Sequence, residues 1–258
     1  MIWKRIILFP VIQQKKREMA VVFKRQISLV HRRNLGTFDA SKLRPELVLS
    51  KENRASCIQK LKLYKVPKNS ELRPQKKAAV LAPLCTYKGD LGFLYTLRST
   101  KVSSNQGQVS FPGGMHDEND PSLIDTALRE TWEELRIPQK DVDVWTSTDL
   151  FIRKDVSVMP VLGYIGEIDP EKLKINTHEV EEAFVLTLKN LCEPSLCRFT
   201  QFRNNFTLPT YLGGKHRIWG LTAAITHMIM NSLVSNCYTH KIKYLQPIDK
   251  SMQMKFQV

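Results

Sequence analysis

The chain has 258 residues, of which 42% are hydrophobic and 25% are charged, and its formal net charge is +14. These proportions are typical of a globular protein that can bury a sizeable core, and they exclude a wholly disordered chain. No stretch reaches the roughly 20 apolar residues of a membrane-spanning helix. The five cysteines form no C-x-x-C pair, so no structural zinc site is predicted.

The first 38 residues are basic and almost free of acid. They contain nine Lys or Arg and a single acidic residue, Glu18, and therefore hold +8 of the net charge. Phe23, Ile27 and Val30 lie at helical spacing in this segment, which is typical of a mitochondrial targeting sequence. A basic tail without a targeting role and a start at Met19 are alternatives. Because most of the excess charge lies in this one segment, a targeting role is favoured over a nucleic-acid-binding face.

Residues 39–75 are predicted to form a helical, charged preamble, in which isolated leucines stand in a polar background. Pro67 and Pro74 then indicate a break before the main domain. We expect that domain at residues 76–235, followed by a C-terminal tail at residues 236–258.

Strand patterns begin at Ala78. The apolar run 78–84 and the β-rich run 92–98 are separated by a turn sequence at residues 88–90, which predicts a hairpin. Strands that alternate with helices indicate an α/β or α+β domain. The other predicted elements are strands at 108–111, 142–145, 151–152, 158–168 and 184–186, and helices at 121–135 and 218–233.

The helix at 121–135 is the most informative segment. Asp120 is predicted as its N-cap, with Pro121 at the first helical position. At 100° per residue, one face of this helix is apolar and can pack on a sheet. The opposite arc holds three carboxylates, because offsets of three and four residues place side chains on the same face. The apolar stripe comprises Ile124, Ala127, Leu128, Thr131 and Leu135, and the carboxylates are Glu130, Glu133 and Glu134.

Three carboxylates this close together repel one another unless they are solvated or a cation lies between them. Hard oxygen ligands at this density suit Mg²⁺ or Mn²⁺. Arg129 lies four residues before Glu133 and can hold that carboxylate in place. The Gly113-Gly114 pair allows the backbone to approach a metal ion or a phosphate closely. The spacing alone also fits a solvated acidic helix face with an ordinary ion pair.

Gly114, Asp120 and the run RETWEELRI at residues 129–137 resemble the Nudix box, G-x5-E-x7-R-E-U-x-E-E-x-G-U. Two positions depart from the general pattern. The first acid is Asp120, one residue farther from the arginine, and Arg136 stands where the pattern has glycine. An arginine at that position is strained if the helix end needs a left-handed residue.

A second resemblance is to the coenzyme A diphosphatase branch of this family, and above all to the mitochondrial enzymes of animals. It rests on LYTLRS at 94–99 and GQVSFPGG at 107–114, and the shifted acid at Asp120 also belongs to that branch. Residues 176–180, 208–209 and 216–223 are similar to it as well, so that the resemblance covers roughly residues 76–230. Unlike the branch, residues 102–106 carry no basic side chain.

The resemblance implies an α/β Nudix fold, in which a mixed β-sheet lies between helices, and an Mg²⁺- or Mn²⁺-dependent hydrolysis of coenzyme A to 3′,5′-ADP and 4′-phosphopantetheine. Glu130 and Glu134 are then the principal metal ligands. Glu133 is a third ligand or orients one, and the Gly114 carbonyl completes one metal shell. Glu179 is the candidate base, although it could equally be one of several exposed acids. In addition, Arg98, Gly113 and Gly114 are expected to bind substrate, and Arg129 to act in catalysis.

Two alternatives compete with this interpretation. The first is a Nudix diphosphatase acting on another nucleotide, such as NADH or ADP-ribose, because shared carboxylates do not distinguish these substrates. The second is a catalytically silent nucleic-acid-binding or regulatory module, suggested by the +14 charge. The expected partner is a small nucleotide of the coenzyme A class, the expected location is mitochondrial, and the sequence leaves the oligomeric state open.

Overall fold

A computed structural model of the protein describes residues 39–65, 76–102, 105–153, 155–201 and 207–242. All of them belong to one compact unit. The predicted targeting segment, the predicted boundary at Pro67 and Pro74, and most of the C-terminal tail lie outside these ranges. None of the described helices combines the length and the apolar character of a membrane span.

The predicted preamble is helical and packs into the main core. A 3₁₀ turn at Ala40–Leu43 precedes helices α1 (Pro45–Val48) and α2 (Lys51–Leu63). Ser50 caps α2 by accepting a hydrogen bond from the backbone of Asn53. The Asn53 side chain in turn donates to the carbonyl of Leu233 at 3.2 Å, at the end of the last helix. Cys57 and Leu61 of α2 are fully buried in the same cluster as that helix, so the preamble shares its core.

The predicted hairpin is formed by β1 (Lys76–Tyr87) and β2 (Asp90–Arg98), which pair antiparallel. Lys88 and Gly89 at its tip both have positive φ, as a two-residue hairpin turn of the primed type requires. The other strands of the same sheet are β3 (Val109–Ser110), β4 (Gly113–Met115), β5 (Asp143–Ser147), β6 (Phe151–Arg153), β7 (Val156–Glu167) and β8 (Val180–Thr187). These eight strands lie in the order β3-β2-β1-β7-β5, with β4 on β1, β6 on β7 and β8 on β2. The pairing of β1 with β7 is parallel and the others are antiparallel, which confirms the predicted mixed sheet.

Three further helices and a small second sheet complete the described fold. They are α3 (Leu123–Leu135), α4 (Leu188–Cys192) and α5 (Gly220–Leu233), together with the antiparallel pair β9 (Cys197–Gln201) and β10 (Thr207–Tyr211). The pair β9–β10 is not among the predicted elements, because its sequence is polar and lacks a clear alternation of apolar residues.

Alternating residues of β1 face two separate cores. Leu81 packs in the cluster that contains Ala127 and Leu135 of α3. Leu84 packs in the cluster that contains Met228 of α5. Because neighbouring side chains of a strand point to opposite faces, a strand that is apolar throughout is buried on both sides. The sheet therefore lies between α3 and α5, as predicted.

The predicted start of the acidic helix is wrong. The helix begins at Leu123, and its N-cap is Ser122, whose hydroxyl accepts from the backbone of Ile124 and Asp125. Asp120 does not cap it, because its carboxylate accepts two hydrogen bonds from Arg129 instead. Pro121 accordingly precedes the cap and is not the first helical residue.

Candidate active site

Helix α3 packs its apolar stripe against the sheet, and its acids Glu130 and Glu134 lie on the side of the helix next to β4. Ala127, Thr131 and Leu135 are fully buried, and Ile124 and Leu128 pack against the same core. This confirms the predicted stripe. The sheet fixes the rotation of the helix, and the rotation of the helix in turn fixes where its carboxylates point.

Carboxylates from two distant segments meet beside α3. Oxygen atoms of Glu130, Glu134 and Glu179 all lie within 4.8 Å of one another. Glu179 lies just before β8, and its position is set by Asn176. The Asn176 side chain donates to Glu179 Oε1 at 3.1 Å, and its backbone N–H donates to the carbonyl of Glu134 at 2.8 Å. The loop that carries Glu179 is therefore docked on the end of the acidic helix.

Glu133, predicted as a further ligand, is not in this group of three. Its side chain is 39% exposed and accepts a hydrogen bond from Arg129 Nη1 at 3.1 Å. Glu133 lies one residue before the buried Glu134, so its side chain points about 100° away around the helix. The predicted pair of Arg129 and Glu133 is present.

Arg129 connects four parts of the site. Its guanidinium donates to both oxygens of Asp120, at 2.8 and 3.0 Å, and also to Glu130 at 3.0 Å and to the carbonyl of Met115. This bidentate contact holds the pKa of the Asp120 carboxyl far below its usual range. Asp120, Glu130 and Glu133 thus all bind the same guanidinium, that of Arg129. The positioning roles of Asp120 and Asn176 were not predicted, because nothing local pairs Asp120 with an arginine nine residues later or docks Asn176 on the helix.

Glu134 is the most buried acid of the site. Its side chain is 2% exposed, and its Oε2 atom has no hydrogen-bond partner among the described residues. Its pKa is raised to about 8, chiefly by burial and also by the neighbouring Glu130 and Glu179, while Arg98, 3.9 Å from Oε1, opposes the shift. Burial likewise raises the pKa of Glu130. A buried carboxylate without a partner is costly, and a cation between the three acids would remove that cost.

The two glycines of β4 are required by close contacts. A Cβ atom at Gly114 would collide with the carboxylate of Glu130. Gly113 has a φ of 150°, and a Cβ there would collide with the backbone of Ala79 and Val80 in β1. The sequence predicts a close backbone approach at this pair. In the structure, the group that approaches Gly114 is one of the carboxylates.

The end of α3 contains the second departure from the family pattern. Arg136 adopts the left-handed conformation, with a φ of 57°, as a helix C-terminus of this kind requires. Its guanidinium stacks on the ring of Trp132, 4.5 Å from the centroid. This stacking offsets part of the backbone strain of a residue that is not glycine.

Comparison with known proteins gives consistent matches. Residues 75–206 match the family described as NUDIX domain. The chain is 40% identical over 173 residues to the mitochondrial coenzyme A diphosphatase NUDT8 of Homo sapiens, covering 64% of this chain and 72% of that protein. It is 33% identical over 183 residues to Nudix hydrolase 3 of Caenorhabditis elegans, covering 64% and 76%. A solved MutT/nudix family protein from Enterococcus faecalis aligns with a TM-score of 0.43 at 19% identity, over 72% of this chain and 75% of that one.

Proposed function

Because the chain belongs to the Nudix hydrolase family, a family of phosphoanhydride hydrolases, we propose that it hydrolyses coenzyme A and acyl-coenzyme A derivatives at their diphosphate. The products would be 3′,5′-ADP and (acyl-)4′-phosphopantetheine. Two relatives named as mitochondrial coenzyme A diphosphatases, from Homo sapiens and Mus musculus, support this substrate at 40% and 41% identity. The chain aligns with 72% and 80% of their lengths.

The observation that carries the reaction class is the meeting of Glu130, Glu134 and Glu179 around a buried oxygen of Glu134 that has no hydrogen-bond partner within the described ranges. Nudix hydrolases use divalent metal ions. We assign Mg²⁺ or Mn²⁺ to Glu130 and Glu134, with the backbone of Gly114 beside them, and assign Glu179 as the base for the water that the cation would bind. Such a cation neutralises the diphosphate and lowers the pKa of a coordinated water. Oxygen donors alone suit both ions.

The other side chains of the site have positioning and binding roles in this proposal. Arg98 would bind a substrate phosphate, because a guanidinium can pair with two of its oxygens. Arg129 would keep Glu130 and Glu133 in place through its contacts with both. Glu179 would take the proton of the attacking water, with Asn176 fixing the carboxylate. The water oxygen then bonds to one phosphorus atom, and the bond from that phosphorus to the bridging oxygen breaks.

A turnover assay on the full chain tests the proposal. Coenzyme A, acetyl-coenzyme A, NADH and ADP-ribose would be compared with Mg²⁺ and with Mn²⁺, and the products identified by mass. We expect coenzyme A and its acetyl ester to give the highest kcat/KM, and chelation of the metal to abolish turnover. Preference for NADH or ADP-ribose would preserve the reaction class and overturn the substrate. Absence of turnover with every substrate would overturn both.

Glu179 can be tested separately from the helix because it lies on another segment. Glu179→Gln is expected to lower kcat about 100-fold, the usual contribution of a positioned general base. Glu181→Gln, at a nearby exposed acid, is the matched control and should leave kcat unchanged. Equal effects of the two substitutions would remove Glu179 from the mechanism.

The location is a separate proposal, supported by the basic residues 1–38 and by relatives whose names include the word mitochondrial, among them Nudix hydrolase 15 of Arabidopsis thaliana. Residues 1–40 fused to a fluorescent protein should direct it to mitochondria. Replacing Arg25, Arg32 and Arg33 with glutamine should abolish the import. A diffuse signal from the unaltered fusion would contradict the proposal.

A further inference from the structure

A cavity of about 240 Å³ begins at the proposed phosphate-binding residues and runs beneath α5. Arg98, Gly113 and Gly114 line it at the end nearest the carboxylates. The rest of its wall is built from strands β1, β3 and β7 and from the first two turns of α5. The apolar side chains of this wall are Val80, Val109, Phe111, Val158, Leu221 and Ile225.

The part of the wall that β1, β3, β7 and α5 provide has no charged side chain among the described residues. Arg98 is the charged residue of the described lining, and it lies at the carboxylate end. The polar lining side chains are neutral, and they include Gln108, Ser110 and Thr222. The Thr222 hydroxyl donates to the carbonyl of Val109 at 3.0 Å, which joins α5 to β3 in the wall of the cavity. An occupant that enters from the phosphate site therefore meets a neutral, mainly apolar surface.

The two halves of coenzyme A differ in charge, and an uncharged wall favours the uncharged half. On one side of the diphosphate lies adenosine with a further 3′-phosphate, which needs a cation or several donors when it is removed from water. On the other side lies pantetheine, an uncharged chain that starts with a dimethyl-substituted carbon and continues through two amides. Apolar walls suit the methyl groups, and an amide side chain such as that of Gln108 can pair with the amides.

We infer that this cavity holds the pantetheine arm of the substrate, with its branched end against Leu221, and that the adenosine half lies outside it. The inference rests on the proposed function. Sites that enclose a whole drug-sized ligand occupy about 300–1,000 Å³, so a cavity of 240 Å³ fits one part of coenzyme A and not the whole. Leu221 is thus a specificity residue that selects an aliphatic arm on this side of the diphosphate.

Each of the two products contains one half of coenzyme A, so the binding of each half can be measured separately. The full chain with Mg²⁺ would be titrated calorimetrically with 4′-phosphopantetheine and with 3′,5′-ADP. Leu221→Trp fills the cavity and is expected to raise the Kd of 4′-phosphopantetheine about tenfold, equivalent to 1.4 kcal/mol. Leu221→Ala removes apolar contacts and should raise the same Kd about threefold. The Kd of 3′,5′-ADP should stay within about twofold of the wild-type value in both variants.

Leu212→Trp is the matched control, because Leu212 is 42% exposed and is not part of the cavity lining. It should change neither affinity. If Leu221→Trp does not fold, Leu221→Ala gives the same discrimination between the two products. Weaker binding of 3′,5′-ADP with unchanged 4′-phosphopantetheine would place the adenosine half in the cavity and overturn the inference.

Turnover of coenzyme A by the unaltered protein distinguishes a failure of this inference from a failure of the proposed function. If coenzyme A is hydrolysed and neither product responds to Leu221, the cavity assignment alone is wrong. If coenzyme A is not hydrolysed and 4′-phosphopantetheine does not bind, the substrate and the cavity assignment fail together.

Discussion

Both faces of the sheet bury ionisable side chains, but these groups differ in their hydrogen bonding. On the α5 side, the hydroxyls of Tyr211 and Tyr238 are hydrogen-bonded to each other, and the Tyr238 hydroxyl also contacts His227 Nδ1 at 2.7 Å. His240 Nε2 donates to the carbonyl of Leu191 at 2.9 Å. Each of these four side chains has a hydrogen-bond partner that the chain itself supplies.

On the α3 side, the buried acids depend on something that the chain does not supply. Glu134 Oε2 has no hydrogen-bond partner among the described residues, and the oxygens of Glu130 and Glu179 lie within 4.8 Å. Leaving a buried acceptor unpaired costs about 1–3 kcal/mol or more. The comparison teaches that burial alone does not identify a functional acid. A buried group with partners contributes to stability, whereas one without a partner indicates a ligand.

The largest expected effect separates activity from stability on the α3 side. Glu134→Gln should lower kcat/KM for coenzyme A about 1,000-fold, the scale of losing one principal electrostatic contact in a transition state. Thermal unfolding of the metal-free protein should not be weakened at pH 8, because the substitution removes a buried charge. Steady-state kinetics and calorimetric unfolding measure the two effects. A parallel loss of activity and stability would show that Glu134 is a structural residue.

The second largest expected effect, on the α5 side, is a loss of stability of the folded protein at acid pH. Burial, together with the nearby His240, lowers the pKa of His227 to about 4. An unfolded chain then binds more protons than the folded one between about pH 6.5 and pH 4, so the free energy of unfolding falls by about 2–3 kcal/mol as the pH falls through this range. Urea unfolding at pH 7 and pH 4.5 should show a smaller drop for His227→Gln than for the unaltered protein. His178→Gln, at an exposed histidine, should keep the full drop.

A third effect is a loss of stability without a loss of activity. Tyr238→Phe removes the partner of both Tyr211 and His227 and should lower the free energy of unfolding by about 2 kcal/mol. Tyr164→Phe is the matched control, because its hydroxyl makes a half-buried contact with Thr86 at 3.0 Å, and it should cost under about 1 kcal/mol. Turnover of coenzyme A should be unchanged in both variants. A large drop in kcat for Tyr238→Phe would contradict the purely structural role of the α5 network.

The smallest effect concerns the end of α3. Arg136→Gly relieves the strain of a left-handed backbone but loses the stacking on Trp132. Each effect changes the free energy of unfolding by about 1 kcal/mol, and the two have opposite signs. The free energy of unfolding should therefore change by less than about 1 kcal/mol. Arg136→Ala loses the stacking and keeps the strain, so chemical denaturation should show it to be the less stable of the two. The reverse order would mean that the left-handed backbone at this position carries no strain that glycine relieves.

Much of the fold could be predicted because its signals are local. The hairpin at Lys88 and Gly89 follows from a turn sequence between two strand patterns, and the stripe of α3 follows from helical periodicity. The start of α3 could not be predicted in this way. Asp120 and Ser122 are both good N-caps, and the competition between them is decided by the bidentate contact of Arg129 with Asp120. The pair β9–β10 was missed because its pattern is weak without its neighbours.

The sequence by itself determined the family, the mixed α/β architecture and the acidic face that holds Glu130, Glu133 and Glu134, since periodicity and motif spacing are properties of the linear chain. Only the tertiary structure decided which acids meet. Glu179 joins Glu130 and Glu134 across 45 residues because Asn176 docks its loop on α3, while Glu133 turns away toward solvent. Such convergence depends on packing between distant segments, and no local pattern contains it.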